Sequence, residues 1–346
     1  MGIVFSLVSY MMVLLLASIF IVIVLIQSDY PFSLLMPLKV IFMGTPDFTL
    51  PFLKNLTEDP DMQVQAVVTQ EDEKVGRKQE LSPPPVKTFA QTLSLPVLQP
   101  EKLRHNSGFI GLIHDMAPDF IVVVAYGKIL PKELLDIPKY GCINFHPSLL
   151  PRYRGATPME TALLNGDTET GISFIKMEEK MDGGPVYFVK KIPIEPEDNA
   201  VSLRLKLFLL GASLITDLLR QIRDGELQPI RQNEGAASYC HKIEREDGLI
   251  DPEKLTALEI RNRMRAYTPW PQCYLVIKGK RLKILEADID LTDRTSPGIW
   301  KELAQAKIAL GTRTGSLIPM KVQLEGKSPM PIDVFLRGNR DWLLSQ

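Results

Sequence analysis

Cysteine is scarce in this chain. The three cysteines, Cys142, Cys240 and Cys273, are odd in number, scattered, and never paired as C-x-x-C. That excludes a disulfide framework and a structural zinc site, and it suits a reducing, cytoplasmic setting. Glycine-rich phosphate loops are missing as well. The first strand-to-helix turn, "MGTPDF" at 43–48, holds one glycine, so the G-x-G-x-x-G of a dinucleotide site is absent. No G-x-x-x-x-G-K-[ST] occurs, which disfavours a P-loop nucleotide. The four histidines, His105, His114, His146 and His241, show no metal-ligand spacing, so no metal is expected. A net charge of −1, with 45% apolar and 23% charged residues, excludes a disordered chain and a bulk affinity for nucleic acid.

Charge is also missing from the N-terminus. Residues 1–28 carry no charged side chain, and Gly2 to Ile26 is apolar and long enough to span a bilayer. The positive start and small-residue cleavage site of a signal peptide are not evident. Met36 is followed directly by "PLKVIFMGTPDF", which reads as the natural start of an α/β domain. A membrane anchor, an uncleaved signal and an upstream extension from a misassigned start compete for residues 1–35. The extension is the expectation, because nothing downstream looks secreted. A membrane partner is expected only if this segment is translated and retained.

From Met36 apolar runs alternate with helical periodicity. "LKVIFMG" (38–44), "VQAVVTQ" (64–70), "PVLQP" (96–100) and "FIVVVAYG" (120–127) read as strands. Thr45 is placed to cap a helix that begins at Pro46, and another helix starts near Val86. After the strand "GCINFH", "ATPMETALLNG" predicts a helix and "GISFIKM" and "PVYFVKKIPI" two strands. Val201 to Arg223 predicts a long amphipathic helix. The alternation implies an α/β, Rossmann-like, mostly parallel sheet covered on both faces, over residues 36–225. The polar stretch beginning "DGELQPIRQNEG" makes 226–243 a linker. Residues 244–346 then change character: a helix near 252–266 precedes short β runs with glycine turns, as in a small OB-like β-barrel.

The stretch "GCINFHPSLLPRYRGATP" (141–158) sets Asn144 and His146 two apart in a strand, hence on one face, with Ile143 and Phe145 on the other. Pro147 cannot donate to a ladder and ends the strand. Two polar groups therefore converge at the carboxyl end of a strand, where open α/β sheets bind ligands. A lone strand histidine is more often a satisfied core group, but the neighbouring Asn144 shifts the balance towards a site. A histidine working at neutral pH commonly needs a carboxylate, and "KMDGGPV" offers Asp182. The ordinary alternative for Asp182 is a plain turn residue.

Together "FMGTPDF", "VVVAYGKILP", "NFHPSLLPRYRGATP" and "MDGGPV" resemble the formyltransferases that use 10-formyltetrahydrofolate. "TPDF", "RYRGATP" and "AYTPWP" are most similar to the methionyl-tRNA formyltransferases, from about Lys39 to the C-terminus. The resemblance implies a catalytic set of Asn144, His146 and Asp182. Folate would contact Ala125, Tyr126, Gly127 and Ile129, and Ser148, Leu149, Leu150 and Pro151. The loop Glu71–Pro85, with Arg77, resembles the insertion that wraps the tRNA acceptor end. The implied partners are folate and methionyl initiator tRNA, with no protein partner expected.

Net charge hides an asymmetry. Residues 36–225 carry 21 basic and 24 acidic side chains, whereas 226–346 carry 19 and 16. Between Glu259 and Glu286 there are seven basic residues and no acid, with Tyr267, Trp270 and Tyr274 among them. Such a run is usually a solvated face, but beside a catalytic domain it also fits RNA backbone contact. Arg263, Lys280 and Lys283 are the candidates there. Lys242 joins them by the resemblance, and Arg152 and Arg154 by their place beside the site. Three rivals remain: a formyltransferase for a small amine such as an amino sugar, a non-catalytic folate or RNA module, and a membrane-tethered protein working through residues 1–35.

Overall fold

The computed structural model describes residues 36–75, 79–304 and 307–345. The apolar N-terminal stretch and Arg77 lie outside the described residues. Strand β1 (Leu38–Gly44) opens the fold, and a 3-10 turn (Asp47–Thr49) leads into α1 (Leu50–Glu58). Thr45 does not cap this helix as expected. Its hydroxyl donates instead to the carbonyl of Tyr126, 81 residues on. β2 (Met62–Val68) follows, then a small antiparallel pair, β3 (Glu73–Val75) with β4 (Glu80–Ser82), within the expected tRNA loop. Next come α2 (Pro85–Thr92), β5 (Val97–Leu98), α3 (Ser107–Met116), β6 (Phe120–Val124), α4 (Lys132–Leu135) and β7 (Cys142–His146). After α5 (Pro158–Leu164), strands β8 (Glu169–Lys176) and β9 (Val186–Pro193) precede the long helix α6 (Ala200–Arg223).

Seven of these strands form one sheet in the order β5-β2-β1-β6-β7-β8-β9. Pairings from β5 to β7 are parallel, and β8 and β9 are antiparallel additions. The chain winds outward from β1 to β5 on one side and from β6 to β9 on the other. The switch between β1 and β6 opens a crevice at their carboxyl ends, the usual ligand position in such sheets.

Helix α6 starts at a capping box, in which Asn199 accepts from the amides of Val201 and Ser202 while the Ser202 hydroxyl accepts from the Asn199 amide. Its buried stripe, Leu203, Leu207, Phe208, Gly211, Ala212, Ile215, Leu218 and Leu219, keeps the spacing of one helical face. That stripe packs on the apolar side of β7, where Phe145 meets Phe52 and Phe208 at ring separations of 4.8 Å each. The helix can come this close because residue 211 is glycine: a Cβ there would lie 2.2 Å from the Phe145 ring.

Residues 230–240 do not hang free as a simple linker would. Ile230 pairs with Val186, and Tyr239 with Arg154. The C-terminal part includes α7 (Ala257–Ala266), which starts five residues later than expected because Thr256 and Glu259 form its capping box. Strands β10 (Cys273–Ile277), β11 (Lys280–Asp290), β12 (Trp300–Leu303), β13 (Lys307–Gly311), β14 (Ser316–Leu324) and β15 (Met330–Pro331) form an antiparallel sheet ordered β10-β11-β14-β13-β12, with β15 on β14. Register shifts around Glu286 mark bulges that bend β11. A helix that periodicity did not single out, α8 (Ile332–Leu344), closes the chain. Arg265 of α7 donates to the carbonyls of Asp198 (2.6 Å) and Glu195 (2.9 Å), fastening this part to the first. Among the described residues no helix is long and apolar enough to cross a membrane.

The Gly211 contact yields a test of the support beneath the site strand. Gly211→Ala gains about 1 kcal/mol of helix propensity but overpacks the Phe145 ring, at a typical cost of about 1–3 kcal/mol. Gly211→Val should therefore destabilise clearly, and Gly211→Ala by less, in urea unfolding. Equal stability of the valine variant would mean that α6 does not sit against Phe145.

Candidate active site

Three loops meet at the carboxyl end of the sheet. The turn after β6 passes through left-handed Ala125 (φ 47°) and Gly127 (φ 88°), so β6 ends three residues before the expected Gly127. Its middle carbonyl, that of Tyr126, accepts from the Thr45 hydroxyl after β1 (3.1 Å) and from Gln70 Nε2 after β2 (2.8 Å). The crevice edge is thus fixed by one acceptor shared between two loops.

β7 presents Asn144 and His146 on the opposite face from Phe145. The hairpin between β8 and β9 brings Asp182 back over them. Asn144 Nδ2 lies 3.5 Å from Asp182 Oδ1, and His146 Nδ1 lies 3.7 Å from Asp182 Oδ2. The Gly155 amide donates to Asp182 Oδ2 at 2.8 Å. Asp182 itself is left-handed (φ 49°), a conformation that aspartate tolerates better than most residues. Of its two following glycines, Gly184 serves another strand: a Cβ there would lie 1.9 Å from the Lys176 carbonyl oxygen.

His146 is 4% exposed, and its Nε2 lies 2.9 Å from the Tyr153 carbonyl. A carbonyl only accepts, so Nε2 carries the hydrogen. Nδ1 is then the nitrogen that faces Asp182 and remains free to exchange a proton. This arrangement orients an imidazole by a main-chain carbonyl and sets it beside a carboxylate.

A cavity of about 500 Å³ opens over these groups. One wall carries Ala125, Tyr126, Gly127 and Ile129, and another carries Phe48, Met159, Phe208 and the Glu160–Arg204 ion pair (3.0 Å). The Tyr126 phenol is pushed up to about 12 by burial and by the Glu71 charge, so it stays neutral. Ser148, Leu149, Leu150 and Pro151 do not line the cavity, although they were expected as folate contacts. They turn inward instead: Ser148 Oγ donates to the Arg152 carbonyl, Ser173 Oγ donates to the Ser148 carbonyl, and Leu150 N donates to Ser173 Oγ. Among the described residues no cluster of three or more His, Cys, Asp or Glu could hold a metal ion.

The arginines beside the site differ from the expected pair of solvent-facing cations. Arg154 is fully buried. Its five N–H groups reach Gln232 Oε1 (3.2 and 2.8 Å), both oxygens of Glu234 (3.0 Å each) and the Tyr239 hydroxyl (3.2 Å). No donor is left for a phosphate, which corrects its expected role. Arg152 is half-exposed and paired with Asp167 (2.9 Å). In the C-terminal part Lys242 and Lys280 are exposed. Arg263 is half-buried, donating to the Asp247 carbonyl (3.2 Å), and Lys283 donates to Gln272 (2.7 Å). Of the aromatics in that run only Trp270 faces solvent, at 54% exposure, while Tyr267 and Tyr274 belong to the core. Sequence reasoning missed Gln232, Glu234 and Tyr239 because they lie in a polar, Gly- and Pro-containing stretch that reads as linker.

Comparison with known proteins follows the same two parts. The formyl transferase family model matches residues 38–218, and the model of the formyl transferase C-terminal domain matches 242–340. A methionyl-tRNA formyltransferase of Geobacter sulfurreducens is 43% identical over 303 residues, covering 88% of this chain and 94% of that protein. One from Caldicellulosiruptor saccharolyticus is 41% identical over 304 residues, covering 87% and 97%. An N-formyltransferase structure from Helicobacter canadensis, in complex with folinic acid and dTDP-3-aminofucose, superposes with a TM-score of 0.58. It is 18% identical and covers 82% of this chain and 98% of its own, a likeness of fold.

The two arginines should part company on mutation. Arg154→Met removes five hydrogen bonds made by a buried guanidinium and should cost about 2–3 kcal/mol, whereas Arg152→Met should stay within about 1 kcal/mol. Arg154, and then Lys180, hold the Glu234 carboxyl down at about 2, from an ordinary 4.5. A depressed carboxylate stabilises fully above its unfolded value and loses that contribution as pH falls through the folded one. Stability from this contact should thus fade from about pH 4.5 towards 2, and Glu234→Gln should flatten that limb in acid unfolding curves. High salt should weaken the effect, because the carboxylate is half-exposed. An acid limb unchanged by the substitution would exclude the Arg154 contact as its source.

Proposed function

The chain belongs to the formyl transferase family, in its methionyl-tRNA branch, and on that premise we propose that Asn144, His146 and Asp182 carry its chemistry. The reaction moves the formyl group of 10-formyltetrahydrofolate to the α-amino group of methionyl initiator tRNA, for translation initiation. Both the folate and the tRNA are substrates. The supporting observation is the convergence of an amide, an imidazole and a carboxylate within 3.7 Å at the floor of one cavity.

Attack of the neutral α-amine on the formyl carbon forms a C–N bond and places negative charge on the formyl oxygen. Collapse breaks the bond to N10, and one proton passes in net from the attacking amine to the leaving N10. Asn144 supplies an amide donor to the oxyanion, where preorganised donors matter most. His146, its Nε2 occupied, works through Nδ1. Asp182 stabilises the charged imidazole and accepts or relays the amine's proton. The wall bearing Ala125, Tyr126, Gly127 and Ile129 is assigned to the folate. The lining residues Phe48, Met159 and Phe208 are left for the aminoacyl end.

The rest of the reading concerns where the tRNA lies. Residues 36–225 are assigned to catalysis, 226–243 to the connection and 244–346 to tRNA contact. Exposed Lys242 and Lys280 support that surface, and half-buried Arg263 and Lys283 and exposed Arg152 are candidates with them. Arg77 is retained as a candidate on its sequence alone. A cytoplasmic setting fits the three free cysteines. Identities above 40% to methionyl-tRNA enzymes favour this acceptor over an amino sugar, for which the likeness is one of fold.

His146→Ala, Asn144→Ala and Asp182→Ala should each lower turnover by roughly a hundredfold or more, since their roles lie in the transition state. The assay is formyl transfer to charged initiator tRNA, run beside elongator tRNA and small amines. A His146 variant with unchanged turnover would remove the assignment. Neutralising Arg263, Lys280 and Lys283 together should weaken tRNA binding and flatten its salt dependence, with about one fewer counterion released per lost phosphate contact. Turnover at saturating tRNA should change far less. Unaltered affinity and salt slope would mean that these groups form a solvated face.

A further inference from the structure

Gln232 comes from the connecting segment, 50 residues after Asp182, yet its amide sits against the main chain of the site. Gln232 Nε2 donates to the carbonyl of Asp182 (2.7 Å) and to that of Gly184 (2.7 Å). Its Oε1 accepts twice from the Arg154 guanidinium, at 2.8 and 3.2 Å. Every hydrogen-bonding position of the side chain is filled, and the amide cannot be turned over: oxygen faces only donors and nitrogen only acceptors.

We propose that Gln232 is a positioning residue for the transfer reaction, fixing the Asp182 turn so that its carboxylate meets His146 and Asn144. The proposal rests on the assignment of Asp182 to the chemistry. Asp182 holds a left-handed backbone (φ 49°), a conformation that persists only where surroundings over-determine it. Gln232 supplies that hold from the carbonyl side, and the Gly155 amide supplies it from the carboxylate side. Both trace back to one arginine. Arg154 precedes Gly155 in the chain, and its main chain is bonded to the connecting segment through Arg154 N to Ser238 O and Cys240 N to Arg154 O, each 2.8 Å. The guanidinium polarises the Gln232 amide and strengthens its donation. Gln232 does not line the cavity, and of the groups its side chain bonds only Asp182 does.

The test pairs Gln232→Glu with Asp182→Asn. Glutamate keeps the contact with Arg154 but sets an acceptor against two carbonyls, pushing the turn away. Turnover should fall ten- to a hundredfold, since misplacing a catalytic group by about 1 Å costs up to a hundredfold. KM for folate and for tRNA and the melting temperature should stay near wild type. In the Asp182→Asn background, Gln232→Glu should cost little more, because the group it positions has gone. Gln232→Met, of similar volume, gives the same comparison if the glutamate variant folds poorly. Wild-type turnover in both Gln232 variants, or a full additional loss in the Asp182→Asn background, would overturn the positioning role. Wild-type turnover of Asp182→Asn alone would instead overturn the underlying assignment of the site.

Discussion

The site depends on how one carboxylate is held. Asp182 sits on the β8–β9 hairpin with a left-handed backbone. Four polar groups surround it: the peptide N–H of Gly155, the side-chain amide of Gln232, and the facing groups of Asn144 and His146. The first two are fixed by the buried Arg154, which anchors the loop after β7 and the connecting segment at once. A buried guanidinium is costly to desolvate unless every donor is used, and here all five are. The cost is consistent with a role in specifying one arrangement of three separate chain segments.

The sheet supplies the other half of the geometry. β7 exposes Asn144 and His146 to the crevice and turns Phe145 into the aromatic cluster under α6. A one-residue slip would exchange the faces, so the packing of Phe145 against Phe52 and Phe208 fixes the register of the site. Gly211 lets α6 approach close enough to do this. The polar pair proposed for catalysis and its hydrophobic support are thus two faces of the same five-residue strand.

Much of this was legible in the sequence. Period-two alternation in "GCINFH" put the amide and imidazole on one face, and the alternation of strands and helices gave the sheet. What was not legible was non-local. The buried state of Arg154 depends on Gln232, Glu234 and Tyr239, some 80 residues away in a stretch whose composition reads as loop. The inward turn of Ser148 to Pro151 depends on Ser173 across the ladder. α7 began later than expected because its capping box outweighed the helical spacing before it. The basic run near α7 illustrates the same limit: charge can be counted from sequence, but only the fold shows that Arg263 and Lys283 each give one hydrogen bond to a protein acceptor and that Arg265 faces the carbonyls before α6.

The central claim is that His146 and Asp182 act as one unit on the formyl carbon. The most direct measurement is single-turnover formyl transfer by the His146→Ala/Asp182→Ala double variant beside each single variant. If the imidazole works only as charged and oriented by the carboxylate, the double variant should be about as slow as the slower single one. A rate lowered by the product of the two single losses would show that the groups act independently, and would contradict the account.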